Sequence, residues 1–394
     1  MTGITKRATR LSDGRELFYF DDADTSLPAG RAADSRPPAP RPALPTLRQD
    51  PLTGEWISIA AARQGRAFLP PAELDPLAPS APGNPTEIPD NYDVAVFENK
   101  SPSFGPGTPP RGTPPPAAWP DGDGSLGATG LGATGLDTTG LDTTGLDTIG
   151  LGRSLPGYGR CEVVCFGPQH TGSWADLSVS RARTVVEAWA DRTAALSRLP
   201  GVRQVYVFEN RGAEIGVTLH HPHGQIYAYP YVTPRTKNLL ASIAGYGPSL
   251  LGDILEFESK SERLLIRGEH FSVFVPFAAR WPVEVHMLAH RHVPDLAVTT
   301  PEERDEIAVL YRRVLRALDR LYDTPTPYIA AWHQAPVHTG RDDIRLMLQV
   351  TSPRRAADRL KYPAGSETGM GAFIGDIEPE AAASRLRAAL AGLD

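Results

Sequence analysis

Residues 221–225 read His-Pro-His-Gly-Gln, and this pentapeptide restricts the chain's fold and chemistry more than any other stretch. An apolar run from Val205 to Phe208 precedes it and another from Ile226 to Tyr231 follows, and both are predicted as strands. His221 and His223 are two residues apart, so in an extended chain they face the same way. Pro222 between them fixes φ and removes a backbone donor. Gly224 is expected to let a bulky ligand approach the main chain. Gln225 adds a neutral amide just beyond the second imidazole.

An imidazole with an unperturbed pKa of about 6.5 is largely neutral at pH 7 and nucleophilic toward phosphorus. A glutamine beside the same phosphate can donate to its oxygens but cannot shuttle protons. A phosphoryl-histidine formed here would lack a built-in base to activate water, and would wait for a second phosphate as acceptor. That is the logic of a transferase rather than a hydrolase. The competing reading, packed or surface histidines, suits a lone histidine far better than this pentapeptide at the head of a strand.

The motif resembles that of the galactose-1-phosphate uridylyltransferase family, the transferase branch of the histidine-triad superfamily. The resemblance runs from about Arg48 to the C-terminus, apart from one insertion. It implies an α+β fold of two histidine-triad-like halves, each an antiparallel sheet with packed helices. It implies a ping-pong exchange in which UDP-glucose and galactose-1-phosphate give glucose-1-phosphate and UDP-galactose. In that scheme His223 carries UMP, Gln225 holds the phosphoryl oxygens, and His221 is a metal ligand whose carbonyl orients the nucleophile. A homodimer is implied as well, with the partner subunit helping to shape the site. Two rival readings stay open: a related nucleotidyl transferase or phosphorylase acting on another sugar phosphate, and a degenerate, non-catalytic nucleotide-sugar-binding protein.

Other positions match the family residue by residue. Arg63 and Arg66, after the predicted strand at Trp56–Ile59, match substrate-contacting arginines, and two guanidiniums at this spacing suit phosphate oxygens. Asn99 matches a nucleotide contact, although the aromatic that usually follows is missing. Asn210 and Thr218 match residues lining the phosphate and sugar pocket. Lys361 and Glu367 match a C-terminal substrate loop, the lysine toward phosphate and the glutamate toward sugar hydroxyls. His170 matches a zinc ligand. The family's Cys-x-x-Cys, however, falls on Asp75 and Ala78, so a zinc site held by Asp75, His170 and His221 would be degraded. A second metal is expected to be absent, because its ligands would fall on His333, Arg345, Met347 and, near the fourth, Leu239.

The 394 residues allow two or three domains. Residues 1–48 are expected to be a mostly flexible arm around a short ordered stretch, Thr9–Phe20. One half would then span 49–233, with a low-complexity insertion at 105–157, and the other 234–394. A net charge of −6 argues against a nucleic-acid partner, and no apolar run is long enough for a membrane span. Cys161 and Cys165, the two cysteines of the chain, cannot build a disulfide framework and suit a reducing cytoplasm.

Overall fold

The computed structural model describes residues 3–65, 68–105 and 151–393. The N-terminal half supplies β1 (Thr5–Arg10), β2 (Glu16–Asp21), β3 (Thr46–Gln49), β4 (Trp56–Ile59), β5 (Val94–Glu98), β6 (Ser154–Pro156) and β7 (Arg160–Cys165). Helix α1 (Val179–Leu196) and the strands β8 (Gln204–Arg211) and β9 (His223–Tyr229) complete it. The C-terminal half opens with α2 (Pro234–Tyr246) and α3 (Leu250–Ser259), then β10 (Leu264–Arg267), β11 (Phe271–Phe274) and β12 (Val283–Ala289). Helix α4 (Pro301–Arg320), β13 (Tyr328–His333), β14 (Met347–Ser352), β15 (Arg354–Ala356), β16 (Arg359–Leu360), α5 (Gly365–Met370) and α6 (Pro379–Leu390) follow.

Among the described residues eleven strands form one sheet, ordered β1-β2-β5-β7-β9-β8-β13-β14-β12-β11-β10. The two expected half-sheets are joined where β8 pairs with β13, Val207 opposite Trp332 and Arg211 opposite Tyr328, antiparallel like every other pairing in the sheet. Outward from that seam each half repeats the same plan, with α1 between β7 and β8 and α4 between β12 and β13. Central strands are covered on both faces and so lose alternation; all six residues of β7 are buried.

One face of the sheet is covered by α1 and α4. Ser178 caps the start of α1, and Thr300 and Glu303 close the expected capping box on α4. Helix α4 buries Ile307, Leu310, Tyr311, Val314 and Leu318, the three-and-four spacing of an amphipathic helix. Each such side chain contributes about 1.5–3 kcal/mol on burial. Trp174 and Trp189 stack with ring centres 4.8 Å apart, and Tyr311 lies 4.9 Å from Trp174. The core therefore runs across the seam. A polar link crosses it too: Tyr311 and Tyr328 of the second half each donate a hydroxyl to Glu209 of the first, at 2.7 Å.

The opposite face of the first half is covered in two places. Leu77, Ile88 and Tyr92 from the segment before β5 pack on Phe97, Val163 and Cys165. A small sheet, β4-β3-β6, brings Leu47, Trp56 and Leu155 against Cys161, Tyr227 and Tyr229. Between these two covers the head of β9 is left accessible.

Two expectations about segment boundaries are corrected. Residues 1–48 are not an arm: β1 and β2 form the edge of the main sheet, with β2 paired to β5, and β3 anchors the small sheet. Phe18 and Phe20 pack into the helix-side core, and the Pro-rich stretch behind them is tied down by ion pairs from Arg31 to Asp21 and Arg36 to Glu87. The composition of that tract concealed how many arginine–carboxylate partners it has. The insertion expected at 105–157 ends earlier than drawn, because β6 pairs with β3; its repeats, within 106–150, lie outside the described residues. Phe20→Ala should cost about 3–5 kcal/mol in urea unfolding. A loss below about 0.5 kcal/mol, the scale of a surface change, would show that the N-terminal hairpin does not dock.

Candidate active site

Strands β8 and β9 place the site. Phe208 pairs with Gln225 and Glu209 with Gly224, so Asn210 and His223, one step further, share a face with Gln225. The His223 Nδ1–H donates to the main-chain carbonyl of His221 at 2.7 Å. A carbonyl can only accept, so the ring proton is held on Nδ1 and the lone pair is left on Nε2. Burial lowers the pKa of His223, and the nearby His221 ring adds to this, against opposing effects of the His221 carbonyl and Asp75. The imidazole is therefore neutral at pH 7. It borders a cavity of about 200 Å³ together with Asn210, Arg211, His221, Ser173 and Gly172. Asn210 Oδ1 is buried there without a hydrogen-bond partner, a polar atom left for a ligand to satisfy.

Gly224 has a different role from the one expected. It is buried and faces away from His223, and a Cβ there would lie 3.0 Å from the Phe208 carbonyl oxygen and 3.1 Å from the Phe166 ring. Close packing under the sheet, rather than approach of a ligand, requires the glycine.

His221 is 1% exposed and clamped on both sides. Its Nε2 lies 2.7 Å from the Gly167 carbonyl and 3.0 Å from the Tyr92 hydroxyl, and its Nδ1 lies 2.7 Å from Asp75 Oδ2. The same carboxylate oxygen bonds His170 Nδ1 at 2.8 Å. Burial raises the Asp75 carboxyl, but bonds from His221, the Leu77 N–H and His170 outweigh it and bring the pKa down to about 2. Asp75, His170 and His221 are thus brought together, but by hydrogen bonds. A closed structural zinc site needs four ligand atoms. Ala78 supplies only a carbonyl, already taken by the Thr86 hydroxyl, and one Asp75 oxygen already bridges both imidazoles. Among the described residues no group of three or more His, Cys, Asp or Glu side chains is arranged to hold a metal ion. The donor set does not fit a closed structural zinc site, in keeping with the degraded ligand set read from the sequence.

The other matched positions are more dispersed. Arg63 Nη1 donates to the Ser101 carbonyl, and Asn99 Oδ1 accepts the Ser101 N–H, so one residue ties the two together. The Asn99 main-chain N–H donates to the Cys161 carbonyl at 2.8 Å, continuing the β5–β7 ladder past Glu98. Arg66 lies outside the described residues. Thr218 holds Leu69 through its carbonyl at 2.8 Å and is not among the cavity residues. Lys361 and Glu367 face each other, Nζ to Oε1 3.7 Å apart, on a loop that does not border the His223 cavity. Around the second expected metal position, His333 Nε2 donates to Gln349 Oε1 at 3.0 Å and Arg345 donates to the Ala289 and His290 carbonyls. His286 meets Glu284, and His290 meets Ser272, so these histidines do not converge.

Sequence reasoning missed a row of half-buried aromatics beside Gln225: Tyr206, Phe208, Tyr227 and Tyr229. Their signal was present, since each pair is spaced by two along a predicted strand. It also missed Tyr92, which no local pattern connects to a histidine 129 residues away.

Comparison with known proteins agrees with this geometry. The sequence profiles for the N-terminal and C-terminal domains of galactose-1-phosphate uridyl transferase match residues 147–233 and 235–391. A galactose-1-phosphate uridylyltransferase from Streptomyces lividans is 41% identical over 98% of both chains. One from Thermotoga maritima is 33% identical over 86% of this chain and 97% of its own. A solved uridylyltransferase structure superposes with a TM-score of 0.71 at 30% identity, covering 88% of this chain and 98% of that one. An ADP-glucose phosphorylase from Arabidopsis thaliana, at 21% identity and a TM-score of 0.57, shares the fold. With its histidine pentapeptide at the head of a sheet strand and both domain profiles matched in order, the chain belongs to the galactose-1-phosphate uridylyltransferase family of nucleotidyltransferase enzymes.

Proposed function

We propose that this enzyme moves UMP from UDP-glucose to galactose-1-phosphate through a uridylyl-His223 intermediate, a step of galactose metabolism. The Nε2 lone pair attacks the inner phosphorus of UDP-glucose. The bond from that phosphorus to the bridging oxygen breaks, and glucose-1-phosphate leaves with the electron pair. A phosphate oxygen of galactose-1-phosphate then attacks the same phosphorus, and the P–N bond breaks to return the lone pair to Nε2. Throughout, Nδ1–H stays on the His221 carbonyl, which supports the positive charge the ring carries while phosphorylated. Gln225 donates to the phosphoryl oxygens, and the aromatic row beside it offers a stacking surface for the base. Arg63, Arg66, Asn99 and Thr218 are read as substrate-binding residues on the family match. The observation that carries this reading is the Nδ1–carbonyl bond, which leaves Nε2 free at the cavity. His223→Gly should lose at least about 10³-fold in exchange rate, as removal of an activated nucleophile does, and added imidazole should restore exchange. An active variant without imidazole would contradict the proposal.

Asp75 is proposed to do the work of the absent thiolates, linking His170 to His221 without zinc. Removing it strands a buried imidazole, so Asp75→Ala should cost about 3–5 kcal/mol. A chelator should leave the melting temperature of the unaltered protein unchanged, and a lower one in its presence would place a metal in the fold.

The homodimer is proposed from the position of the C-terminal loop. Tyr362 donates to the Glu214 carbonyl, next to Ala213 of the cavity wall, so the loop is anchored near the cavity without lining it, while Met370 is 84% exposed and Ile374 57%. We read Lys361 and Glu367 as completing the partner's site. Mixing His223→Gly with Lys361→Ala subunits should then restore part of the activity that each lacks alone. No recovery after confirmed subunit exchange would rule this out. No helix among the described residues is long and apolar enough to cross a membrane, and both cysteines are free and buried, consistent with the cytoplasmic setting proposed here.

A further inference from the structure

The C-terminal half holds a second cavity, related to the first by the internal repeat. Gln225, Phe208, Ala331 and Gln349 form a row across β9, β8, β13 and β14. A half-turn about the centre of the Phe208–Ala331 pair takes Gln225 to Gln349, Asn210 to His333 and His223 to Met347. Counting back two residues puts Arg345 in the place of His221. The cavity at this place measures about 490 Å³, and its walls include Arg235, Arg280, Arg345, Asn238, Ser242 and Met347.

The chemistry differs in sign from the first cavity, and no nucleophile stands at the place of His223. A methionine thioether cannot replace a neutral imidazole in phosphoryl transfer. Three guanidiniums share one space. The carboxylate beside them, Glu284, accepts from His286, from the Gln349 amide and from the Arg280 main-chain N–H, and from none of the guanidiniums. Among the described residues no hydrogen bond or ion pair joins the side chain of Arg235 or Arg280 to a carboxylate; Arg280 lies over the Phe373 ring at 5.4 Å. Arg345 spends one nitrogen on main-chain carbonyls. Burial and Arg280 both disfavour the Arg235 charge, with Glu284 opposing them. Guanidiniums gathered with no carboxylate bonded to any of them repel one another and any cation, while a phosphate presents three acceptor oxygens in the geometry they match.

We propose that this cavity is a non-catalytic site for a phosphate group, carried by free phosphate or by a small phosphate monoester, with the phosphate on Arg235, Arg280 and Arg345. Asn238 and Ser242 offer neutral hydrogen bonds to the rest of an ester, and Leu239, Leu251 and Ile344 provide an apolar wall. The inference does not depend on the uridylyl transfer proposed above.

The test is calorimetric titration of the full chain and of Arg235→Gln/Arg280→Gln, with inorganic phosphate in one arm and glycerol 3-phosphate in the other. Neither arginine has been placed in the catalytic cavity, so the variant should keep its uridylyl exchange rate, which also reports that it folds. The unaltered chain should show one phosphate-binding class that the variant loses or binds at least about tenfold more weakly, the effect of one lost charge-assisted contact. That class should weaken further as salt is raised. Loss confined to one arm still supports the site and identifies its ligand as the free ion or the ester. If the double variant is unfolded, the single substitutions are titrated instead, each with a weakening expected. Superimposable isotherms for folded variants and the unaltered chain in both arms would overturn the proposal.

Discussion

A single hydrogen bond, from Nδ1 of His223 to the carbonyl of His221, decides what this site can do. The carbonyl fixes which ring nitrogen keeps its proton and so which one keeps its lone pair. Its direction is set by the backbone between two histidines, through Pro222 and the entry into β9. That backbone is held because the ring of His221 is buried and gripped by Asp75, Gly167 and Tyr92. Asp75 in turn reaches His170. In the proposed reaction this cluster acts through the position of one main-chain oxygen.

The sheet explains how the two ends of one surface can differ. Both halves have the same order of strand, helix and strand, and they fuse at β8 and β13 with a shared aromatic core and a shared Glu209 link. The core depends on residues facing the helices, whereas the sites are made by residues facing the other way. Side chains on that second face can change without disturbing the packing beneath. Gly224 lies on the packing side and is constrained by Phe166 and the Phe208 carbonyl, while Met347 lies on the other side, at the place that His223 takes in the first half.

The central pentapeptide, the flanking strands, the capping box of α4 and the duplicated plan were legible in the sequence, because each rests on short-range periodicity or a compact motif. Long-range partnership was not legible. Asp75 read as a defect, a carboxylate where a thiolate was expected, and its bonds to two imidazoles depend on chain segments 95 and 146 residues away. The N-terminal hairpin was undervalued because a Pro-rich tract follows it, although Leu17 to Phe20 is a fully apolar run. Lys361 and Glu367 were placed by family match, and a single protomer does not bring them to the cavity. Composition says which segments can fold, but not which partners their charges find.

The most direct measurement is the mass of the protein after brief exposure to UDP-glucose, followed by peptide mapping under alkaline conditions that preserve phosphoramidates. The account predicts one added UMP per active chain, on the peptide containing His223, which disappears when galactose-1-phosphate is added. An unmodified chain that still exchanges label, or an adduct on any other residue, would contradict it.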